Sequence, residues 1–257
     1  MPARLSVLVP TYNNEQTIRS TLESVKWADE ILVIDSFSSD RTMEICQEYT
    51  SRIVQHEYIN SAKQKNWAIP QCRYEWVLHI DSDERLEDGA QDEIRQVIIY
   101  ANSETHAFRL ARKNHVLGVW IKSGGIYPDY QTRLFRRNEG RFEDKEVHAH
   151  LKVPGKIETL NAHILHYGMP TISKQLHNID RYARYQADEI RKQGKRFRWH
   201  HLVFRPFLVF GYYYFWKRGF LAGYRGLLIA AISVTFDFWA YAKLWELQEM
   251  GLEKSPL

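Results

Sequence analysis

Residues 76–80 constrain the fold of this chain most, because they form a short apolar run that ends abruptly in acidic residues. A run this short, rich in Val, Leu and Ile, is typical of a buried parallel strand rather than of a helix. Asp81, Asp83 and Glu84 follow it directly. Carboxylates crowded at the carboxyl edge of a parallel sheet repel one another, and a divalent cation shared with substrate phosphates is the usual counter-charge. The run therefore predicts a metal-dependent site for a nucleoside diphosphate, unless Asp83 and Glu84 merely begin the next helix, where negative charge is favoured.

Apolar strands alternate with amphipathic helices through the first half of the chain. Strand-like runs lie at residues 5–9, 31–34 and 53–54, and the clearest helical spacing covers residues 90–101. This alternation predicts an α/β fold, an open and mostly parallel sheet with helices on both faces. Ligands bind such sheets beyond the carboxyl ends of the strands.

The first glycine in the chain is Gly89. A Walker P-loop and a GxGxxG dinucleotide turn both need glycine at the phosphates, so the first half of the chain excludes them. A nucleotidyltransferase, which usually needs a glycine-rich first turn, is disfavoured for the same reason. We expect side chains and a metal to hold any nucleotide.

Positive charge is concentrated in one segment. The chain has a net charge of +4, but residues 170–225 alone contain twelve Lys or Arg against three Asp or Glu. This segment is also aromatic, which predicts an anionic membrane surface, rather than a nucleic acid, as the partner. The uncharged runs at residues 206–216 and 226–236 are shorter than the about 20 residues that cross a bilayer. They predict helices that lie in the membrane interface, with an aromatic core or dimer face as the alternative.

Cysteine and histidine usage gives no sign of a structural metal. Cys46 and Cys72 lack metal-ligand spacing and are predicted to be reduced. His163 and His166, like the pair at 148 and 150, lack an HExxH helix or a Cys partner, which favours hydrogen-bonded histidines over zinc ligands. The apolar run at residues 5–9 is too short for a signal peptide. We expect a cytoplasmic protein that is peripheral on the inner face of the cell membrane.

With these motifs placed, the sequence resembles the inverting glycosyltransferases of family 2, which have the GT-A fold. The matching segments are residues 9–15 after the first strand, 34–42 after the second, Lys65-Asn66 before the third, and the DxD motif Asp81-Ser82-Asp83. Residues 127–137 and 147–148, together with the basic and aromatic segment at residues 170–225, look most like the bacterial lipopolysaccharide inner-core beta-1,4-glucosyltransferases.

The resemblance implies which residues form the site. The implied nucleotide-sugar-binding residues are Pro10, Thr11, Tyr12, Asn13, Glu15, Asp35, Ser38, Asp40, Lys65, Asn66, Asp81, Ser82 and Arg133. Among these, Asp35 would read the uracil, and Asp81 would approach the ribose and pyrophosphate. Asp83, with Asp81, would ligate Mg²⁺ or Mn²⁺. Lys65 or Arg133 would add positive charge at the phosphates.

Two departures from the family pattern concern the reaction. Many relatives carry Glu directly after Val-His, where this chain has Ala149, so the candidate catalytic bases are Glu146 and Asp144, followed by Asp129. The Gln-x-x-Arg-Trp motif of processive synthases is absent, and residues 131–134 read Gln-Thr-Arg-Leu in a comparable region. Its absence favours the addition of a single sugar.

The resemblance therefore implies transfer of one sugar, glucose from UDP-glucose, to a heptose of the lipopolysaccharide inner core. The alternatives are a UDP-sugar transferase acting on a different lipid-linked glycan, and a non-catalytic membrane-surface scaffold. The implied organisation is a GT-A catalytic domain at residues 1–168 and a helical membrane-surface extension at residues 169–257. Within the catalytic domain, residues 1–105 would bind the nucleotide-sugar and residues 106–168 would form the acceptor side.

Overall fold

The computed structural model describes residues 3–144 and 149–250. Its strands are β1 (Leu5–Thr11), β2 (Glu30–Asp35), β3 (Ile53–Gln55), β4 (Trp76–His79), β5 (Glu84–Leu86), β6 (Thr105–Val116), β7 (Val119–Trp120), β8 (Asp129–Arg136), β9 (Arg141–Phe142), β10 (Leu151–Lys152) and β11 (Lys156–Met169). Its α-helices are α1 (Ile18–Val25), α2 (Thr42–Gln47), α3 (Ser61–Ala68), α4 (Ala90–Tyr100), α5 (Ile172–Lys192), α6 (His200–Phe210) and α7 (Tyr224–Glu249). A π-helix at Gly211–Trp216 continues α6.

A large mixed sheet organises the first part of the chain. Its strand order is β3-β2-β1-β4-β8-β6-β11-β5, and β9 and β10 form a separate hairpin. The strands β3, β2, β1 and β4 run parallel, as the alternation of strands and helices predicts. β8 is antiparallel to both β4 and β6. The register pairs Thr11 with Asp35 and Leu8 with His79, so the carboxyl ends of β1, β2 and β4 meet at one edge.

Both faces of the parallel strands are covered, which explains why they are apolar throughout. Successive side chains of a strand point to opposite faces. Val9 of β1 therefore joins one apolar cluster with Leu22 of α1. Its neighbour Leu8 joins a second cluster with Leu32 of β2 and Ala62 of α3.

The acidic residues after β4 do not begin a helix. Glu84 is the first residue of β5, and α4 begins only at Ala90, after Gly89 in a left-handed conformation with φ of 83°. β5 pairs antiparallel with β11, and this register places His166 opposite Glu84. The interpretation of Asp83 and Glu84 as a helix start is therefore wrong.

The chain forms two compact units. The first extends to Asn114 and resumes from Pro128 to Gly168, and the second contains His115–Tyr127 and the chain from Met169 onward. Residues 115–127, predicted to belong to the acceptor side, therefore group with the C-terminal helices. Two backbone hydrogen bonds join these segments: the N–H of Gly124 donates to the carbonyl of Lys217 at 2.9 Å, and the N–H of Leu117 donates to the carbonyl of Met169 at 3.0 Å.

The second unit is built on α5, α6 and α7. Ala187 and Ile190 of α5 share a small apolar cluster with Tyr241 and Leu244 of α7. Against α6, the guanidinium of Arg205 donates to both carboxylate oxygens of Asp237, at 3.0 and 2.7 Å.

The helix α7 is longer than the uncharged run that predicts it. It is continuous from Tyr224 to Glu249, and Asp237 lies inside it because Arg205 compensates its charge. Within the described residues, α7 is long and apolar enough to cross a membrane by length and composition, and 22% of its most apolar 18-residue stretch is buried. Length therefore does not exclude a crossing helix, contrary to the prediction from the uncharged runs.

A buried carboxylate joins the parallel strands at the edge opposite to the acidic tips. Glu30, at the start of β2, accepts hydrogen bonds from the Ser6 hydroxyl at 2.6 Å, the Arg73 backbone N–H at 2.7 Å and Arg52 Nε at 3.1 Å. Its side chain is 2% exposed. A buried charge is tolerated when it is paired and hydrogen-bonded in this way.

We expect Glu30→Ala to lower the free energy of unfolding by about 3–5 kcal/mol, because it leaves the buried Ser6 hydroxyl and the Arg52 charge without their acceptor. Glu48→Ala, which removes an exposed ion pair with Arg19, is the matched control and should leave the free energy of unfolding close to that of wild type. Urea denaturation of both variants measures the difference. Equal losses would contradict the structural role of Glu30.

Candidate active site

The loops after β1 and β2 are tied together around Asp35. This residue is fully buried at the end of β2, and its carboxylate accepts hydrogen bonds from the Ser38 backbone N–H at 3.0 Å and from Gln55 Nε2 at 3.1 Å. The Ser38 hydroxyl accepts from the backbone N–H of Asn13 at 2.9 Å. In return, Asn13 Oδ1 accepts from the backbone N–H of Ser39 at 2.8 Å. The predicted residues Asn13, Asp35 and Ser38 therefore form one hydrogen-bonded loop pair.

Two further predicted nucleotide-binding residues hold these loops to each other. The backbone N–H of Glu15 donates to the Asp40 carboxylate at 3.1 Å, and the backbone N–H of Arg41 donates to the Glu15 carboxylate at 3.1 Å. Burial alone would raise the pKa of Asp40, but donors from Thr42 and from the backbone outweigh it and lower that pKa. In this structure the carboxylates of Glu15 and Asp40 are therefore engaged by protein donors.

Polar and aromatic groups at the end of β1 remain available to a ligand. The Thr11 hydroxyl is buried, and it has no hydrogen-bond partner among the described residues. Pro10 precedes it and is partly buried, whereas the ring of Tyr12 is 56% exposed. Because a buried hydroxyl without a partner is costly, a ligand group beside Asp35 would stabilise this edge.

Asp81 lies in a cluster of buried cations. Its carboxylate contacts Lys65 Nζ at 3.2 Å and Arg133 Nη2 at 2.9 Å. Burial alone would raise the pKa of Asp81, but these cations and His79 hold it well below its usual range. Burial, together with the positive charge of Arg133, lowers the pKa of Lys65. The next residue, Ser82, is also buried, and its carbonyl accepts from the Thr21 hydroxyl, which fixes the turn to α1.

His79 is a neutral link in this cluster. Burial and the neighbouring charge of Lys65 lower its pKa to about 3. Its Nε2 lies 3.1 Å from Asp81 Oδ1, and its Nδ1 contacts Arg133 Nη1. Since Arg133 can only donate and the Asp81 carboxylate can only accept, the proton of the neutral ring is assigned to Nε2.

The network continues to Asp129, one of the predicted bases. Arg133 Nη2 also contacts Glu84 at 2.6 Å, and Arg112 bridges Glu84 at 3.1 Å and Asp129 at 2.8 Å. Gln131 Nε2 donates to the other carboxylate oxygen of Asp129 at 2.6 Å. Burial would raise the pKa of Asp129, but Arg112 and the amide donors outweigh it and lower the pKa. A carboxylate held this firmly in its charged form is a weak proton acceptor.

The hairpin of β9 and β10 is fixed beside this cluster by Asn66. The Asn66 side chain donates to the carbonyl of Phe142 at 2.9 Å and accepts from its backbone N–H at 2.8 Å. The Phe142 ring lies 5.2 Å from Lys65 Nζ, measured to the ring centroid. Both polar groups of the Asn66 amide, predicted to bind nucleotide-sugar, therefore hydrogen-bond to the backbone of the hairpin. Asp144, a predicted base, is exposed just after β9, and Glu146 lies outside the described residues.

A histidine from β11 faces the predicted metal ligand Asp83. His166 Nε2 lies 3.6 Å from Asp83 Oδ2, while His166 Nδ1 lies 2.7 Å from Asn114 Oδ1. Asn114 Nδ2 donates to Asp129 at 3.0 Å, which orients the amide so that its oxygen faces the ring. In the neutral imidazole, Nδ1 therefore carries the proton and Nε2 is an acceptor. Two acceptor atoms at this separation fit a shared cation.

The sequence carries no signal that pairs His166 with Asp83. His166 is one of four histidines whose spacing favours hydrogen-bonded roles, and in the structure His163 pairs with Glu87 at 3.0 Å. The pairing of β5 with β11 brings His166 to Asp83. Gly168 makes the placement possible, because a Cβ atom there would lie 2.4 Å from the His166 ring. Within the described ranges, no three His, Cys, Asp or Glu residues are grouped to hold a metal ion on their own.

The sequence of this chain is similar to those of glycosyltransferases. The sequence model of glycosyl transferase family 2 matches residues 6–146. Lipopolysaccharide core biosynthesis glycosyltransferase LpsC of Rhizobium meliloti is 28% identical over 249 residues, covering 94% of this chain and 92% of that protein. An uncharacterized glycosyltransferase of Rickettsia typhi is 26% identical and covers 97% of this chain and 88% of that protein.

A solved structure supports the fold. Mannosyltransferase PcManGT from Pyrobaculum calidifontis, in complex with GDP-Man and Mn²⁺, matches with a TM-score of 0.55 and 16% identity. The match covers 97% of this chain and 89% of that chain. The predicted GT-A fold class is thereby confirmed.

We expect His166→Ala to weaken Mn²⁺ binding about tenfold or more, because it removes an acceptor that faces Asp83. Gly168→Ala should weaken it as well, since the added Cβ displaces the ring. His163→Ala, three positions earlier on the same strand, is the matched control and should leave the affinity unchanged. Paramagnetic resonance titration of Mn²⁺ in the presence of UDP measures all three. Wild-type affinity in His166→Ala would exclude this residue from the metal site.

Proposed function

This chain belongs to glycosyl transferase family 2, and we propose that it transfers glucose from UDP-glucose, with inversion, to a heptose of the lipopolysaccharide inner core. The relative LpsC, whose name states lipopolysaccharide core biosynthesis, is similar over nearly its whole length and supports this acceptor. Family membership makes the chain a glycosyltransferase and removes the non-catalytic scaffold from consideration. The alternative is another UDP-sugar and a different lipid-linked glycan.

The observation that carries the proposal is the charge balance of the cluster around Asp81 and Asp83, the acidic residues that follow β4. The cluster contains the carboxylates of Asp81, Asp83, Glu84 and Asp129 and the cations of Lys65, Arg112 and Arg133. Four negative and three positive groups leave one negative charge. A divalent cation reverses this sign, so the site then attracts the diphosphate of a nucleotide-sugar.

Asp83 and His166 would hold Mg²⁺ or Mn²⁺, and this metal, when bound, supplies positive charge to the departing diphosphate. Asp81 already contacts Lys65, His79 and Arg133, so we assign it to the donor's hydroxyl groups more than to the metal. Asp35, Thr11 and Tyr12 would hold the nucleoside at the neighbouring strand ends.

The reaction requires a base and a good leaving group. The base removes the proton of the acceptor hydroxyl, and the acceptor oxygen attacks the anomeric carbon on the face opposite to UDP. The bond between that carbon and the diphosphate oxygen breaks, and its electron pair leaves with UDP. Lys65 and Arg133 keep positive charge near the phosphates throughout.

Glu146 and Asp144 are the proposed bases. Asn66 clamps the chain at Phe142, so the segment that follows begins next to Lys65. Asp129 ranks after them, because its carboxylate already accepts hydrogen bonds from Arg112 and two amides.

We expect the wild-type enzyme to add a single hexose from UDP-glucose to a heptose-terminated core oligosaccharide, detected by mass spectrometry in a screen of UDP- and ADP-sugars. Asp83→Asn should nearly abolish transfer, because a neutral amide is a poor metal ligand. Glu146→Gln should also abolish transfer but should leave UDP and Mn²⁺ binding intact. Asp88→Asn changes an exposed carboxylate nearby and should not affect the rate.

Activity of Asp83→Asn within about threefold of wild type, roughly 0.7 kcal/mol of barrier, would remove this residue from the metal site. Transfer only from a sugar nucleotide other than UDP-glucose would overturn the proposed donor. Repeated addition of hexose would overturn the single transfer.

The C-terminal unit is proposed to dock on the anionic inner face of the cell membrane. Large apolar side chains of this unit are exposed, including Phe207 at 75%, Leu208 at 69% and Trp216 at 79%. An apolar surface of this kind marks an interaction site in a soluble protein. Lys195 and Arg196 of the same unit are also exposed, and their positive charge suits anionic headgroups.

Packing within this unit argues against a membrane-crossing α7. The C-terminal half of α7 lies along α5, and Lys243 contacts Asp180 at 2.8 Å. The 21 residues of α5 include eight that are charged. If α7 crossed the membrane, charges of α5 would enter the hydrocarbon at about 2.5–3.5 kcal/mol for each Lys, Arg or Asp at the centre. Docking at the interface leaves α5 in water and the enzyme on the cytoplasmic side.

Liposome flotation tests the docking. Binding should require anionic lipid and fall with added salt, because each Lys or Arg near such a surface contributes about 1 kcal/mol and is screened. A variant with Gln at five exposed basic positions, Arg191, Lys192, Lys195, Arg196 and Arg198, should bind more weakly. The control changes five exposed basic residues of the catalytic unit to Gln: Arg19, Lys26, Arg41, Lys152 and Lys156.

Equal loss in both variants, or equal binding to neutral vesicles, would contradict a specific basic surface. Protection of the C-terminus from protease on the far side of sealed vesicles would replace docking with a crossing topology.

A further inference from the structure

Phe37 has a backbone conformation that its side chain disfavours. Its φ is 62°, in the left-handed region where a Cβ atom crowds the following carbonyl and where glycine is the usual residue. Its side chain is nevertheless 58% exposed, so burial of the ring in the protein does not compensate the strain. Strained residues persist where the surrounding structure forces them, and they cluster at ligand sites.

Hydrogen bonds on both sides force this conformation. The backbone N–H of Ser36 donates to the carbonyl of Thr11 at 3.0 Å. On the other side, the backbone N–H of Ser38 donates to the Asp35 carboxylate at 3.0 Å, and the Ser38 hydroxyl accepts from Asn13. Phe37 therefore cannot relax without breaking the loop pair that holds Asp35.

Phe37 belongs to the loop that the proposed function assigns to the nucleoside. It lies two residues after Asp35, in the turn that this carboxylate closes. The adjacent loop exposes a second ring, that of Tyr12, and the two loops are joined through Asn13 and Ser38. Thr11, whose carbonyl accepts from Ser36, carries a buried hydroxyl without a partner among the described residues. The loop pair thus exposes two aromatic side chains and contains one polar group that a ligand could satisfy.

We propose that Phe37 is held in its strained conformation so that its ring packs against the nucleoside of the donor. Aromatic side chains bind bases through their faces with little dependence on the base, and an exposed ring gains from the apolar area it then buries. The inference rests on the proposed function, because the nucleoside is that of UDP. It assigns Phe37 to donor affinity and not to chemistry.

Calorimetry of UDP and UMP binding to Phe37→Gly tests this role. Glycine removes the ring and also relieves the backbone, so the melting temperature should be equal to or above that of wild type. We expect the Kd for UDP and that for UMP to rise by the same factor, about tenfold, which equals 1.4 kcal/mol. Phe37→Tyr keeps the ring and should bind both ligands like wild type.

Two further variants separate the ring from the backbone. Phe37→Asn tolerates the left-handed conformation but lacks an aromatic face, so it should bind as weakly as Phe37→Gly. Arg218 is an exposed residue of the C-terminal unit with φ of 56°. Arg218→Gly, the matched control for backbone relief, should leave the Kd for UDP unchanged.

The outcomes distinguish this inference from the proposed function. If wild type binds neither UDP nor UMP, the proposed donor is wrong and the inference falls with it. If wild type binds both and Phe37→Gly binds them equally well, the inference alone is wrong. A loss for UDP without a loss for UMP, or a lower melting temperature together with a weaker Kd, would also overturn it, because the ring would then serve the diphosphate or the fold.

Discussion

The buried guanidinium of Arg133 holds the acidic strand ends of this enzyme together. It contacts Asp81, Glu84 and the ring of His79, and its side chain is 5% exposed. These carboxylates would otherwise repel one another in a medium of low dielectric constant. Burial alone would lower the pKa of Arg133, but Glu84 and Asp81 outweigh it and raise that pKa further, so the charge is permanent. The parallel strands can therefore end in carboxylates without a bound ligand.

The contacts of Arg133 also distinguish the two aspartates of the DxD motif, because Arg133 pairs with Asp81. Asp81 contacts the cations of Lys65 and Arg133, whereas Asp83 faces His166, whose other nitrogen contacts Asn114. Asn114 is itself oriented by Asp129. Asp81 and the pair of Asp83 and His166 are thus connected through one chain of polar contacts, and Asp129 is part of it. A carboxylate used in this way is poorly suited to accept a proton.

The C-terminal unit exposes both charged and apolar side chains. α5 is rich in charged residues, and α6, the π-helix and α7 expose aromatic and aliphatic side chains. Asp237 is tolerated in the apolar α7 because Arg205 neutralises it in a bidentate contact. A unit that exposes both kinds of side chain is suited to the interface of a bilayer.

The local pattern of the sequence determined the parallel strands, the helices between them and the acidic strand ends, because burial on both faces requires continuous apolar runs. Through its resemblance to the family motif, it also predicted Asp35, Asp81 and Asp83 as site residues. Only the tertiary structure decided which partners these residues have. His166 is distant from Asp83 along the chain and meets it through the pairing of β5 with β11, and Asn66 turns to Phe142 because the hairpin folds back onto α3. Such contacts depend on antiparallel registers and loop packing, which produce no periodic pattern in the sequence.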